Sequence, residues 1–177
     1  MFDRIISVDP GSSFAVASKV ATLDIRTSFV ASFEFRSPRF MWSRITKYLK
    51  AIECAKDESV VVVIEGTFPG RAGFDQLSTM NRRIGSLWTR FAVRGDPVFL
   101  AKAGRVRNGV GWIEDLGMKG TSKSKRMEWV EEELGIDIGN DHESDAVLLL
   151  QWFEMKVGDA KRLGVPIEDV AECLRKL

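Results

Sequence analysis

The run Val60-Val61-Val62-Val63-Ile64, entered from Ser59 and closed by Glu65, constrains the fold more than any other part of the chain. An unbroken β-branched series suits a strand covered on both faces, since a face turned to water would be marked by alternating polar residues. Such a strand belongs inside a sheet with helices on both sides. A second segment, Arg4 to Val8, ends at Asp9-Pro10-Gly11-Ser12, where proline and glycine impose a turn. If the two strands are parallel neighbours, they deliver Asp9 and Glu65 to the same end of the sheet.

The remaining elements follow from periodicity. Phe14 to Leu23 and Arg26 to Phe35 show the partial alternation of antiparallel strands with one wetter face. Ser37-Pro38 opens a helix in which Met41, Ile45, Tyr48, Leu49 and Ile52 recur at helical spacing, ending near Lys56. Phe74, Leu77, Met80, Ile84, Leu87 and Phe91 mark a long second helix over Gly73 to Val93, and Pro97 to Leu100 makes a fifth strand. A helix over Ser122 to Leu134 turns Met127, Val130 and Leu134 inward, and an apolar helix over Glu143 to Val157 is led by Asp141 as its cap. Pro166 to Leu174 reads as a last amphipathic turn or two.

This order predicts an α/β architecture, a five-stranded mixed sheet flanked by helices, as in ribonuclease H-like folds. The expected division is one domain of this ribonuclease H-like fold over 1–158 and a short helical extension over 159–177.

A length of 177 residues suits one core, and 45% hydrophobic with 29% charged residues is the composition of a globular protein. Two cysteines, Cys54 and Cys173, are too few for a disulfide framework, and no signal peptide or apolar span of roughly 20 residues is present. A reducing, cytoplasmic setting without a membrane is expected. The net charge of +1 hides a strong asymmetry. Between Arg71 and Arg126 there are 12 Lys or Arg against 4 Asp or Glu, while the rest of the chain carries 14 against 21. A basic middle third of this kind can attract a polyphosphate.

His142 and Asp145, three residues apart at the start of a helix, share one face and can join Asp9 and Glu65 at a single spot. Three clustered carboxylates repel one another, and divalent cations would keep all of them ionised. Each residue also has a plainer reading. Asp9 can serve the turn, Glu65 can end a strand, and acidic residues in a first helical turn complement the dipole.

The segments Ile6-Ser7-Val8-Asp9-Pro10-Gly11, Val63-Ile64-Glu65 and His142-Glu143-Ser144-Asp145-Ala146 resemble, in order and approximate spacing, the three metal-site motifs of RuvC-type Holliday junction resolvases. Lys123-Ser124-Lys125-Arg126-Met127 is similar to the segment where that family places a functional lysine before its late helix. The resemblance implies that Asp9, Glu65, His142 and Asp145 bind two Mg²⁺ ions per subunit. His142 stands where some members have aspartate, and Mn²⁺ is able to substitute because imidazole is the softer ligand. It further implies that Lys123 lies near the scissile phosphate, with Arg105 or Arg107 assisting, and that Phe68 wedges into the junction crossover beside Arg71. Phe68 folded back onto the core is the alternative. For Lys125 and Arg126, contact with DNA and a solvated surface position are equally open.

The function so implied is paired, metal-dependent hydrolysis of opposed strands of a four-way DNA junction by a homodimer. Leu77, Ile84 and Phe91, at seven-residue spacing, together with Gly85 and Trp88, make the second helix the expected dimer interface, unless its stripe faces the sheet. Three rivals remain: a nuclease acting on RNA-DNA hybrid or generic branched DNA, a non-cleaving branched-DNA-binding module, and an actin-like ATP-hydrolysing domain, for which the chain is short.

Overall fold

The computed structural model describes residues 2–11, 13–34, 43, 47, 58–66, 74–104 and 110–177. Its central strands are those the β-branched runs predict. β1 (Arg4–Asp9) and β4 (Val60–Glu65) are parallel neighbours, with Ser7 opposite Val63 and Val8 opposite Ile64. β2 (Ser13–Val20) and β3 (Phe29–Glu34) extend the sheet antiparallel on the β1 side. β5 (Val98–Ala101) pairs parallel with β4.

A sixth strand follows from the chain's last residues. β6 (Leu174–Lys176) pairs antiparallel with β5, so the sheet order is β3-β2-β1-β4-β5-β6. The expected five strands are therefore six, the sixth supplied from within the stretch 159–177, which also holds the end of a long helix and a short helical turn. Ala171, Cys173 and Leu174 are buried in the main core.

Helices cover both faces. α1 (Phe74–Ala92) lays Ile84, Leu87 and Phe91 on Ile6, Val8, Val16, Val62 and Ile64. This corrects the expected dimer stripe: Ile84 and Phe91 are used by the protein's own sheet, because an amphipathic helix beside an apolar sheet face buries its apolar side there. Leu77 is only half-buried and Trp88 is 42% exposed. After a short helical turn, α2 (Trp112–Asp115), the other face is covered by α3 (Lys123–Leu134) and α4 (Asp141–Leu163). Their buried residues pack with Ile5, Ala17, Val61, Val63 and Phe99. A last turn, α5 (Ile167–Val170), leads into β6. Ser43 and Lys47 are helical, and the rest of the expected 37–56 helix lies outside the described residues.

α4 is the longest helix among the described residues and runs without a break through position 158. Its cap is Asn140, not the expected Asp141. The Asn140 side chain accepts from the Glu143 N–H, and its Nδ2 donates to Ser32 Oγ at 2.8 Å, fixing the helix start to β3. Further along, Ser7 Oγ donates to the Ala146 carbonyl at 2.6 Å and ties α4 to β1. Lys19 of β2, 1% exposed, pairs with Glu154 of α4.

Candidate active site

The site lies where β1 and β4 end. The register that sets Val8 opposite Ile64 brings Asp9 and Glu65, the next residue of each strand, alongside one another. Asp9 is 4% exposed. The chain turns immediately after it: Asp9 Oδ1 accepts the Gly11 N–H at 2.8 Å, the local bond expected of an aspartate leading a Pro-Gly turn. Arg83 of α1 secures the same turn from the opposite face of the sheet, donating to the carbonyls of Pro10 and Gly11.

The N-terminal turn of α4 supplies the third and fourth members. His142 Nδ1 stands 2.6 Å from Asp9 Oδ2. Beside a carboxylate this nitrogen carries the proton, which makes Nε2 the acceptor nitrogen of the neutral ring. The bond to Asp9 is the main reason that the imidazole is held above its ordinary pKa, burial opposing it. Gly11 is required by this closeness, since a Cβ there would lie 2.7 Å from both His142 Nδ1 and Cε1. Asp145, one turn on, is buried and faces Arg126 of α3 at 3.0 Å.

The carboxylates feel one another. Glu65 keeps some solvent access, yet desolvation raises its pKa well above the usual carboxylate range, and Asp9 and Asp145 push it further. Arg126 works against that rise. Asp145 is also raised, chiefly by burial, with Arg126 pulling it back. The drive of Glu65 and Asp145 toward protonation is what a bound cation would reverse.

Three carboxylates and an imidazole have the donor chemistry for Mg²⁺ or Mn²⁺. Among the described residues, however, no three His, Cys, Asp or Glu side chains are gathered into a ready-made cation cage. His142 is turned to Asp9, and Asp145 to Arg126. The donors suit such an ion once these internal partners are exchanged.

Lys123 heads α3 and pairs with Asp141 rather than standing alone. The Asp141 bond is the largest cause of the raised Lys123 pKa, while Asp145 and Asp9 add to it, so the ammonium lies within the field of the acidic group. In return Lys123 holds Asp141 below its ordinary value. Asp141 is thus the lysine's tether, a role that its reading as a cap did not include. Lys125 is exposed. Phe68, Arg71, Arg105 and Arg107 lie outside the described residues.

Sequence reasoning left Arg126 between DNA contact and a solvated surface position, where the structure buries it, and it missed Arg83. Arg126 falls one and two helical steps of four before Val130 and Leu134, so its place on the buried face of α3 was written in the spacing. Arg83 gave no such signal, because its partners are backbone carbonyls of a distant turn.

No protein-family model matches the sequence, and no curated protein matches it. Among solved structures, the Thermus thermophilus RuvC structure matches with a TM-score of 0.59 and 14% identity, covering 98% of this chain and 99% of that chain. T. thermophilus RuvC in complex with Holliday junction substrate matches with the same values. At this identity the likeness speaks to the fold, and it runs nearly end to end. With strands, sheet order and α4 placed as described, this chain has a RuvC-like, ribonuclease H-like fold.

Proposed function

We propose that this chain is a metal-dependent endonuclease that resolves four-way DNA junctions, acting as a homodimer so that each of two opposed strands meets its own active centre. The observation that carries the reading is the meeting of Asp9, Glu65, His142 and Asp145 at one end of a RuvC-like sheet. The structural likeness to RuvC bound to a Holliday junction substrate supports the choice of substrate.

Asp9, Glu65, His142 and Asp145 would hold two Mg²⁺ ions, or Mn²⁺ in their place. The chemistry such ions supply is activation of water for in-line attack on phosphorus and stabilisation of the leaving oxygen. The chain's own residues do the rest. Arg83 and the Gly11 N–H fix the turn that aims Asp9. Asp9 orients the His142 ring through Nδ1. Lys123, tethered by Asp141 at the edge of the acidic group, supplies positive charge for a phosphate oxygen. The basic middle third of the chain, including the α1 arginines, provides sequence-independent attraction for the backbone.

The test is cleavage of a synthetic four-way junction beside a linear duplex and an RNA-DNA hybrid, with Mg²⁺. Paired, symmetric nicks in the junction alone are expected. Preferential cutting of the hybrid would replace the reading with that of a hybrid-directed nuclease, and binding without cutting would reduce it to a DNA-binding module.

A further inference from the structure

The acidic centre holds a cation of its own. Arg126 lies three residues after Lys123 on α3, and its side chain is 10% exposed. One nitrogen, Nη2, faces both oxygens of Asp145, at 3.0 Å from Oδ1 and 3.3 Å from Oδ2. This is not the two-nitrogen fork that arginine makes with a carboxylate in its strongest pairing. The Nη1 bond to the Thr121 carbonyl is long, at 3.4 Å, and Nε has no hydrogen-bond partner among the described residues. A buried guanidinium with donors so loosely engaged is held by charge more than by hydrogen-bond geometry. It also borders two open surface cavities, of ≈ 500 Å³ and ≈ 510 Å³, with Met118 as the other residue common to both. The side chain has space to move into.

We propose that Arg126 is a resident counter-cation that competes with the divalent ion for Asp145, so that cation loading requires Arg126 to release that carboxylate. The inference rests on the reading of Asp9, Glu65, His142 and Asp145 as cation ligands. While no divalent ion is bound, the guanidinium offsets the mutual repulsion of the acids and keeps the centre folded. When the ion arrives, the same charge opposes it. A unit charge within about 4–6 Å commonly moves an ionisation equilibrium by one to three tenfold steps, and a divalent ion is at least as sensitive. Arg126 is a positioning residue in this account, since it acts through Asp145 and touches no reacting atom.

The experiment is a Mn²⁺ titration without DNA, followed by electron paramagnetic resonance, on the wild-type chain, Arg126→Met, Arg126→Lys and Asp145→Asn. Arg126→Met is expected to bind Mn²⁺ about tenfold or more tighter than wild type. Arg126→Lys, which keeps the charge, should return to within about threefold of wild type, and Asp145→Asn should bind more weakly. The thermal shift produced by saturating Mn²⁺ should be larger for Arg126→Met than for wild type, because the ion then compensates a carboxylate that has lost its partner.

Equal or weaker Mn²⁺ binding by Arg126→Met overturns the proposal and leaves the ligand assignment standing. No Mn²⁺ binding by any variant overturns both. Should Arg126→Met fail to fold, the wild-type protein decides: the Arg126 guanidinium ¹⁵N resonances should change on adding Mg²⁺, and resonances that stay unchanged at saturation overturn the exchange.

Discussion

Gly11→Ala puts the geometry of the centre under its sharpest strain. Gly11 is not among the glycines with positive φ, so alanine meets no backbone penalty there and the whole effect comes from the added methyl group. That methyl would lie 2.7 Å from His142 Nδ1 and Cε1 and 3.0 Å from Asp9 Oδ1. To regain ordinary contact at 3.4 Å the ring has to retreat by about 0.7 Å, which stretches a 2.6 Å bond to Asp9 beyond the range of a charge-assisted hydrogen bond. Losing part of a bond of that class costs about 1–2 kcal/mol, or roughly 2–8 °C in melting temperature for a chain of this size. Catalysis should suffer far more. A displacement near 1 Å in a positioned group commonly costs about a hundredfold in rate, so junction nicking by Gly11→Ala is expected to fall by about that factor while junction binding persists. The assay is single-turnover cleavage of a labelled four-way junction, with calorimetric melting as the control for folding. Nicking within about threefold of wild type would show that the contact between His142 and Asp9 has no part in the reaction.

Asp9→Asn should abolish cleavage and leave junction binding by gel shift nearly intact, since the basic surface supplies much of the affinity; appreciable turnover would remove Asp9 from the ligand set. Gly85→Ala should raise stability by about 1 kcal/mol, because a Cβ there meets nothing within 4 Å and alanine is the better helix former; a lower melting temperature, or dissociation seen by light scattering, would mean that a second chain packs against that face. Without divalent ions, stability should fall as pH rises. The folded pKa of His142 lies above 6.5, so its contribution is complete below 6.5 and is lost as pH climbs through the raised value. Glu65 and Asp145 are also raised and act with the same sign, their contribution being complete below the ordinary carboxylate range and lost above it. Melting curves up to about pH 8 should show the decline, and His142→Gln should flatten its upper part; an unchanged slope in that variant would count against the His142 pairing.

Asp9 and Glu65 were legible because each closes a β-branched run, and two buried parallel strands leave little choice about where their ends lie. His142 and Asp145 were legible from helical spacing. What escaped depended on contacts remote in sequence. Asn140 and Asp141 are both cap-forming residue types, and the choice of Asn140 is favoured by a bond to Ser32 that lies 108 positions away. β6 has three residues, too few to carry a pattern, and exists because β5 offers it an edge. The stripe on α1 repeats with the same period whether it meets a partner or its own sheet, so spacing could not distinguish the two. The burial of Lys19 depends on Glu154, 135 positions on.

Those remote contacts give the centre a stiff side and a compliant one. α4 is pinned to β3 at its start, to β1 at Ala146 and to β2 at Glu154, and Ala146 to Leu150 are fully buried. Its amides from 146 to 153 should exchange with solvent only through global opening, among the slowest in the chain. The first turn of α3 is different: Ser122 to Lys125 are exposed, and the bond from the Lys125 N–H to Ser122 Oγ is long, at 3.4 Å. Exchange there should proceed through local fraying at small energetic cost. His142 and Asp145 thus ride on an anvil, while Lys123 and Arg126 ride on a spring, and whatever adjustment the centre makes to an arriving phosphate is borne by α3.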